Sequence, residues 1–369
     1  LLFVRYLDVR RLDKQIQSMK TLKTLLLFVL TVHGLSAVEF RISVVDSNGS
    51  PIEGAEVALG FDNAPSIPRY FKRSGKTDEE GLFVTRANAN ISMSLVATME
   101  GYYKFGYPNA QPLDFAMRDI SEVFEYTVRM REIKNPIPLL ARMNTVNEDE
   151  AYHIPETNVW IGFDFRKFDW VRPYGRGETA DMKFRYQRKF YKINVPKYGN
   201  ITEETMRQNV ISRNKRLNIP FSEESFRNEF GIWSGNLEIG FPRPGDGWVR
   251  VEEDFVPQSM LQMPHEAPDT GYQHKGWSRK VHSQKSKIWN VLPSYGYFLR
   301  TRTEMDSAGN VKSANYTKIA GEIGFHPVGR IWMTYYFNPT PNDRNLELDP
   351  QKNLIRSNNR YNPVQNLLP

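Results

Sequence analysis

Four residues between positions 265 and 274 carry side chains that bind divalent metals. They are His265, Glu266, Asp269 and His274. Imidazole and carboxylate groups suit zinc and similar ions, so one hypothesis is a metal site formed by these four. The alternative is a proline-rich surface loop, which the sequence favours because no regular element is predicted there to position ligands. We expect no other cofactor.

A second group of oxygen-bearing side chains lies near the carboxyl end. Asp343, Asn345, Glu347 and Asp349 occupy alternate positions, and oxygen ligands at such spacing are typical of calcium loops. An EF-hand is excluded, because glycine is missing at the sixth position and the twelfth is Leu354. A looser calcium site remains a hypothesis.

Two stretches of the chain combine basic and aromatic residues. Six of their cationic residues are candidates for binding a polyanion, namely Lys183, Arg185, Lys189, Lys275, Arg279 and Lys280. Such charges bind the phosphate or sulfate groups of a polyanion, and neighbouring rings stack on its units. The alternative, which the sequence favours, is a solvated strand face and a mobile loop, since charges keep a sheet edge soluble. Nucleic acid is not an expected partner.

Four tryptophans are candidates for a ligand-binding surface. They are Trp233, Trp248, Trp277 and Trp289. In an exported β-protein, exposed rings can line a face that stacks on sugars. The sequence favours the alternative that these rings are anchors of a core or an interface.

The catalytic signatures that we sought fail on spacing. Gly231–Gly235 does not have the spacing of a nucleophile elbow, and Gly75–Thr77 lacks the upstream glycine of a phosphate loop. The chain has no cysteine, which excludes disulfides, thiolate metal sites and cysteine nucleophiles. We therefore expect a non-enzymatic binding or structural protein whose partner is a glycan or a cell-surface protein.

The alternative function is that of a carbohydrate-active or other hydrolase. Its site would include Glu238, Glu252, Glu253 and Asp254, close to the tryptophans. Glycosidases place two carboxylates about 5 to 10 Å apart in a groove. The sequence leaves open whether these residues meet.

The segment from Met19 to Ala37 has the order of a secretory signal peptide. A short basic region is followed by an apolar run over Leu25–Val32 and by small residues. The run is shorter than the roughly 20 residues that span a bilayer. We expect residues 1–18 to be an upstream extension, residues 19–37 to be the signal peptide, and the mature protein to be exported to the periplasm, the cell surface or the medium without a transmembrane segment.

Alternating apolar and polar residues predict short antiparallel strands after the signal segment. Phe40, Ile42 and Val44 alternate with polar neighbours, and the pattern ends at the turn residues Asp46–Gly49. One buried and one exposed face per strand are typical of a β-sandwich, so we expect residues 38–133 to form one.

This predicted sandwich resembles the carboxypeptidase regulatory-like family, whose fold is transthyretin-like. The resemblance rests on Ile42–Val57 and Thr77–Phe83. Six residues have the family's spacing, namely Gly49, Pro51, Gly54, Ala55, Asp78 and Gly81. The resemblance implies a small, stable, non-catalytic module of the kind that precedes other domains in exported bacterial proteins. The family has no catalytic residues to transfer.

We expect a larger domain over residues 134–369, because Pro136 and Pro138 interrupt regular structure. Its predicted elements are strands at 182–195, 217–221, 237–241, 297–304, 316–325 and 331–337 and one helix at 202–216. The hairpin from Tyr297 through the turn Asp306–Asn310 is similar to the final hairpin of fibronectin type III-like sandwiches. The expected fold is all-β: an N-terminal transthyretin-like β-sandwich plus a larger, mainly β C-terminal domain with fibronectin type III-like features.

Two local features of this domain are predicted in more detail. Thr202 is expected to cap the helix, whose acidic residues come first and basic residues last, as the helix dipole favours. The apolar phase of the strand at 182–195 flips between Phe190 and Tyr191, which predicts a β-bulge.

Short phrases in residues 134–369 are similar to a group of uncharacterised exported bacterial proteins. They are Asn135–Pro138, Phe168–Gly175, Pro244–Gly247, Ala267–Tyr272 and Asn338–Glu347. This resemblance implies export and brings no activity with it.

The formal charge of +7 is concentrated at the amino end. Residues 1–37 hold six of the 49 Lys and Arg residues and two of the 42 acidic residues, so the remaining chain carries about +3. Global basicity therefore does not predict a polyanion partner, and only the two local basic stretches can.

Overall fold

The computed structural model describes residues 38–62, 70–87, 92–106, 115–116, 123–143, 152–197, 199–251, 263–283 and 296–355. The predicted signal peptide, the upstream extension, Trp289 and Glu252–Asp254 lie outside these residues. Two compact units share the chain. The first takes its described residues from Leu1–Val45, Pro51–Leu95 and Leu113–Val128, and the second from Asp46–Ser50, Val96–Pro112 and Arg129–Pro369.

Seven strands near the amino end form two sheets, ordered β4-β1-β7 and β3-β2-β5-β6. The strands are β1 (Val38–Val45), β2 (Glu56–Asp62), β3 (Tyr70–Lys76), β4 (Leu82–Ala87), β5 (Ser92–Thr98), β6 (Phe115–Ala116) and β7 (Val123–Arg129). Strand β1 buries alternate residues, as its sequence predicts. Phe40 on β1 and Phe61 on β2 are fully buried, with ring centroids 4.9 Å apart.

Asp78 and Gly81, which have the spacing of the regulatory-like family, lie in a turn before β4. The Asp78 carboxylate accepts hydrogen bonds from the backbone N–H groups of Glu80 and Leu82. Gly81 has φ +70°, and a Cβ there would lie 2.6 Å from the Val44 carbonyl oxygen, so both the backbone and the space require glycine.

The second unit contains eleven more strands and two helices among the described residues. They are β8 (Leu140–Met143), β9 (Tyr152–His153), β10 (Ile161–Asp164), β11 (Asp169–Trp170), β12 (Met182–Ile193), α1 (Glu203–Arg216), α2 (Glu223–Phe230), β13 (Gly231–Gly240), β14 (Gly247–Val251), β15 (Trp277–His282), β16 (Gly296–Met305), β17 (Val311–His326) and β18 (Arg330–Asn338). The strands form a five-stranded sheet, β11-β10-β12-β13-β15, and a six-stranded sheet, β14-β16-β17-β18-β8, in which β9 also pairs with β18.

These two sheets pack face to face around one apolar core. Phe184 and Leu237 of the five-stranded sheet share a buried cluster with Leu299, Ile319 and Phe337 of the six-stranded sheet. The expectation of an all-β, sandwich-type fold is confirmed. The predicted hairpin is present as β16 and β17, joined by a turn in which Asp306 accepts from the Ala308 and Asn310 N–H groups.

The helix and the bulge are also where the sequence predicts them. The Thr202 side chain caps α1 by accepting a hydrogen bond from the Thr205 N–H. The register of β12 against β13 shifts between Phe190 and Lys192. Neither described helix combines the length and the apolar character that crossing a membrane requires.

The strand predicted at 217–221 is wrong, because this segment connects α1 to α2. Ser222 caps α2 by accepting from the Ser225 N–H, and two glutamates occupy the first turn. Phe226 is fully buried and packs in one cluster with Met206 and Val210 of α1. Packing between the few apolar residues of these two helices outweighs the strand preference of a short apolar run.

Candidate functional site

The outer face of the five-stranded sheet, opposite the shared core, carries the polar half of each strand. On β12, Phe184 and Tyr186 are buried in the core, while Lys183, Arg185 and Gln187 lie on the other face. This arrangement follows from the alternation of side chains along a strand.

The strand register sets these outward side chains in rows across β12, β13 and β15. The rows are Lys183 with Gly240; Arg185 with Glu238 and Ser278; Gln187 with Asn236 and Lys280; and Lys189 with Ser234 and His282. The central strand has the short residues Ser234 and Gly240 at the two ends of these rows, and most of the flanking side chains are long. The result is a groove along β13, which we call the β13 groove.

The β13 groove consists of two adjoining depressions. One has a volume of about 690 Å³ and extends toward Trp160 and Phe241, and the other, of about 490 Å³, extends toward Lys189 and His282. Asn236 and Lys280 line both depressions. The floor from Ser234 to Gly240 is about 20 Å long at the usual rise of about 3.4 Å per residue.

Four lysines line the groove, namely Lys183, Lys189, Lys275 and Lys280. Within the part of the chain that the structure describes, none of their ammonium groups pairs with a carboxylate. Unpaired like charges along a concave surface create a positive potential that attracts anions.

Glu238 is the only carboxylate among the described residues that line the groove. Arg185 donates to its Oε2 through Nε at 3.2 Å and also through Nη2. Its Oε1 accepts a long hydrogen bond of 3.3 Å from Asn236 Nδ2. The Oδ1 atom of Asn236 is buried and has no hydrogen-bond partner among the described residues.

An exposed aromatic ring stands near each end of the groove. Trp160 is 40% exposed, with the Arg185 guanidinium 4.9 Å and the Lys183 ammonium 5.6 Å from its ring centroid. Tyr191 is 50% exposed, with the Lys189 ammonium 5.3 Å from its ring. Both rings combine a surface for stacking with an adjacent cation.

Five of the six basic residues predicted to bind a polyanion lie on this face. They are Lys183, Arg185, Lys189, Lys275 and Lys280. Arg279 lies apart, because alternation on β15 turns it toward the six-stranded sheet, where it donates to the Ile323 carbonyl at 2.7 Å.

The predicted tryptophans that the structure describes do not form one exposed surface. Trp233 is 7% exposed, packs on Phe190 and donates from Nε1 to the Arg227 carbonyl. Trp248 and Trp277 pack on each other with centroids 4.9 Å apart, and of these two only Trp277 borders the groove. Trp160 was not in the predicted set. It directly precedes β10 and is not part of an alternating pattern that would have marked it as exposed.

The four predicted metal ligands do not converge. Glu266 and Asp269 both form ion pairs with Arg344. His265 lies 3.5 Å from Glu347, and His274 contacts the backbone carbonyl of Asp246. No group of three or more His, Cys, Asp or Glu side chains within the described ranges is placed to hold a metal. Both carboxylates that the metal hypothesis requires are thus engaged by Arg344.

The Glu347 carboxylate, one of the predicted calcium ligands, forms hydrogen bonds within the protein. Glu347 is 2% exposed and accepts hydrogen bonds from the N–H groups of Lys134 and Asn135 and from the Tyr103 hydroxyl. Burial and the adjacent Glu347 carboxylate raise the pKa of Tyr103 above its ordinary value. The Glu347 carboxylate is thus already engaged by hydrogen bonds within the fold.

No known protein-family model matches the chain, and no curated protein matches it. Among solved structures, 3-chlorocatechol 1,2-dioxygenase from Rhodococcus opacus 1CP is 16% identical over 27% of this chain and 61% of its own, with a TM-score of 0.21. Catechol 1,2-dioxygenase from Pseudomonas arvilla C-1 is 13% identical over 29% and 55%, with a TM-score of 0.21. The shaft pilin SpaA from Lactobacillus rhamnosus GG is 15% identical over 28% and 49%, with a TM-score of 0.20. The chain thus spans less than two thirds of these proteins, and similarities this low carry no functional argument.

Proposed function

We propose that this chain is an exported, non-enzymatic binding protein that holds an extended polyanion in the β13 groove. The observation that carries the proposal is the set of four lysines that line the β13 groove and have no carboxylate partners among the described residues. A ligand with regularly spaced anionic groups complements this charge pattern.

The magnitude of surface ion pairs favours a polymer over a small anion. An exposed pair contributes about 0 to 1 kcal/mol, so a single sulfate or phosphate would bind weakly. A polymer that contacts several lysines at once adds these contributions and releases its condensed counterions. The length of the floor, about 20 Å, accommodates such a chain.

One sequence feature and one structural feature support the remaining parts of the proposal. The order of basic, apolar and small residues over Met19–Ala37 supports export. Glu238 has no second carboxylate beside it among the described lining residues, so the paired acids of a glycosidase are not assembled in that part of the groove.

Binding to immobilised heparin as a function of salt tests this function. We compare the protein with a Lys183→Gln, Lys189→Gln, Lys280→Gln variant. We expect the variant to bind at least about tenfold more weakly, and the slope of log affinity against log salt to fall by about 2 to 3, because three ionic contacts are removed.

The matched control removes three exposed lysines elsewhere, through Lys72→Gln, Lys76→Gln and Lys312→Gln. It has the same net charge as the groove variant. If both triple variants lose the same affinity, binding reflects overall charge and the groove is not the site. If the unmodified protein is retained at low salt neither on heparin nor on immobilised polyphosphate, the proposed function is wrong.

A further inference from the structure

We infer that the polyanion is an acidic polysaccharide, whose hydroxyl groups donate to Glu238 while its acidic groups meet the lysines. This inference rests on the proposed function and adds the chemical class of the ligand. Glu238 is the reason for assigning this class. A carboxylate in the middle of a cationic groove is unfavourable for a ligand that only accepts hydrogen bonds.

Glu238 retains acceptor capacity toward the groove. Arg185 occupies Oε2, while Oε1 accepts only the 3.3 Å hydrogen bond from Asn236 among the described residues. The Glu238 side chain is 25% exposed. A sugar hydroxyl can donate to this oxygen, whereas an anionic phosphate oxygen would be repelled by it.

The free cations along the groove do not form a continuous series, because Arg185 in the second row pairs with Glu238, between Lys183 in the first row and Lys280 in the third. Lys183 lies in the first row and Lys189 in the last, about 20 Å apart along β12. Between them, β13 presents Glu238 and the amide of Asn236. A polymer with hydroxyl-bearing surface between its acidic groups matches this order better than a chain with a dense, continuous negative charge.

The outward positions of the rows also disfavour single-stranded nucleic acid. Proteins that bind such strands stack successive bases on successive aromatic rings. Trp160 and Tyr191 stand near opposite ends of the groove, and the outward residues of the four rows between them are Lys, Arg, Gln, His, Ser, Asn, Glu and Gly. Amides and hydroxyls of this kind suit the hydroxyl groups of a saccharide.

The test measures the affinities of the protein and of its Glu238→Gln variant by calorimetry. Heparin and polygalacturonate represent acidic polysaccharides, and linear polyphosphate and oligothymidylate represent the competing classes. We expect Glu238→Gln to weaken polysaccharide binding at least fivefold and to leave polyphosphate binding unchanged or tighter, because a negative charge has been removed.

A control variant, a second groove variant and a check of the fold make the outcomes distinguishable. Glu304→Gln removes an exposed acidic charge on the six-stranded sheet and should change nothing. Trp160→Ala gives a second variant at the groove and should weaken polysaccharide binding more than polyphosphate binding. The fold of each variant is checked by circular dichroism.

If Glu238→Gln tightens all four ligands alike, or if polyphosphate or oligothymidylate is preferred over both polysaccharides, the inference is overturned while the proposed function stands. If none of the four ligands binds, the proposed function fails and the inference fails with it.

Discussion

Arg302 forms a bidentate ion pair with Asp181 that joins the two sheets of the second unit. Its Nε donates to Oδ1 at 2.7 Å and its Nη2 to Oδ2 at 2.8 Å, and Nη2 also donates to Asp164 Oδ1 at 2.8 Å. Arg302 belongs to β16 of the six-stranded sheet, whereas Asp164 ends β10 of the five-stranded sheet. Burial alone would raise the pKa of Asp164, but the N–H groups of Glu178 and Thr179 and the Arg302 charge lower it below its usual value.

Replacing Arg302 should therefore destabilise the sandwich. Arg302→Met leaves two buried carboxylates without their cation, and breaking a buried pair in this way costs about 3 to 5 kcal/mol. Urea unfolding at neutral pH measures the loss. Arg176→Met removes an exposed partner of Asp169 and should cost less than about 1 kcal/mol. Similar losses for the two variants would contradict a special role of the buried cluster.

Lys318 on β17 has a buried amino group with no carboxylate partner among the described residues. Its Nζ is fully buried, has no hydrogen-bond partner in the described chain and lies 4.9 Å from the Tyr336 ring centroid. Burial, with a smaller contribution from Arg131, lowers the pKa of Lys318 to about 7, against a weak opposing effect of Glu347.

The pKa of Lys318 predicts a pH-dependent stability. Between pH 7 and 10.5 the unfolded chain binds a proton that the folded chain does not, so stability rises with pH in this window. Lys318→Met should stabilise the protein by a few kcal/mol at and below neutral pH, with a gain that shrinks toward the upper end of the window. Urea unfolding at several pH values measures both effects. Lys312→Met, at an exposed position on the same strand, should show neither, and a gain independent of pH would refute the assigned cause.

Glu347 should stabilise the second unit through its hydrogen bonds and not through calcium. Glu347→Gln replaces one acceptor oxygen by an N–H₂ group, which cannot accept from the N–H and O–H donors that bond to the carboxylate. Leaving a buried donor unsatisfied costs about 1 to 3 kcal/mol. Thermal unfolding with and without calcium measures both points. We expect a lower midpoint for Glu347→Gln than for the exposed Glu304→Gln, and no effect of calcium on the unmodified protein. Stabilisation by calcium would restore the calcium hypothesis.

Filling the groove should abolish polyanion binding without any change of charge. Ser278 is exposed on β15 beside Glu238, and an aromatic residue is well tolerated on a strand. Ser278→Trp should weaken heparin binding at least about tenfold by occupying the floor. Ser212→Trp on the exposed face of α1 serves as the control. Undiminished binding by Ser278→Trp would show that the ligand does not enter the groove.

Local features of this chain follow from neighbouring residues alone. Thr202 and the glutamates after it predict α1, and the phase flip after Phe190 predicts the bulge, because capping and alternation act over a few positions. The same kind of signal was available for α2, since Ser222 precedes two glutamates. The apolar residues within 217–221 favoured a strand prediction instead. Packing of Phe226 against α1 decides the structure of this segment.

The sequence by itself determined the all-β class, the strand alternation and the basic composition of two separate stretches. Only the tertiary structure decided that Lys183, Glu238 and Lys280 share one groove, that Arg279 faces the other sheet, and that Trp160 stands at the groove's end while Trp233 is buried. The physical reason is the pairing register of β12, β13 and β15. It depends on side-chain packing between strands far apart in the chain, and shifting one strand by a single residue would turn its outward side chains to the core.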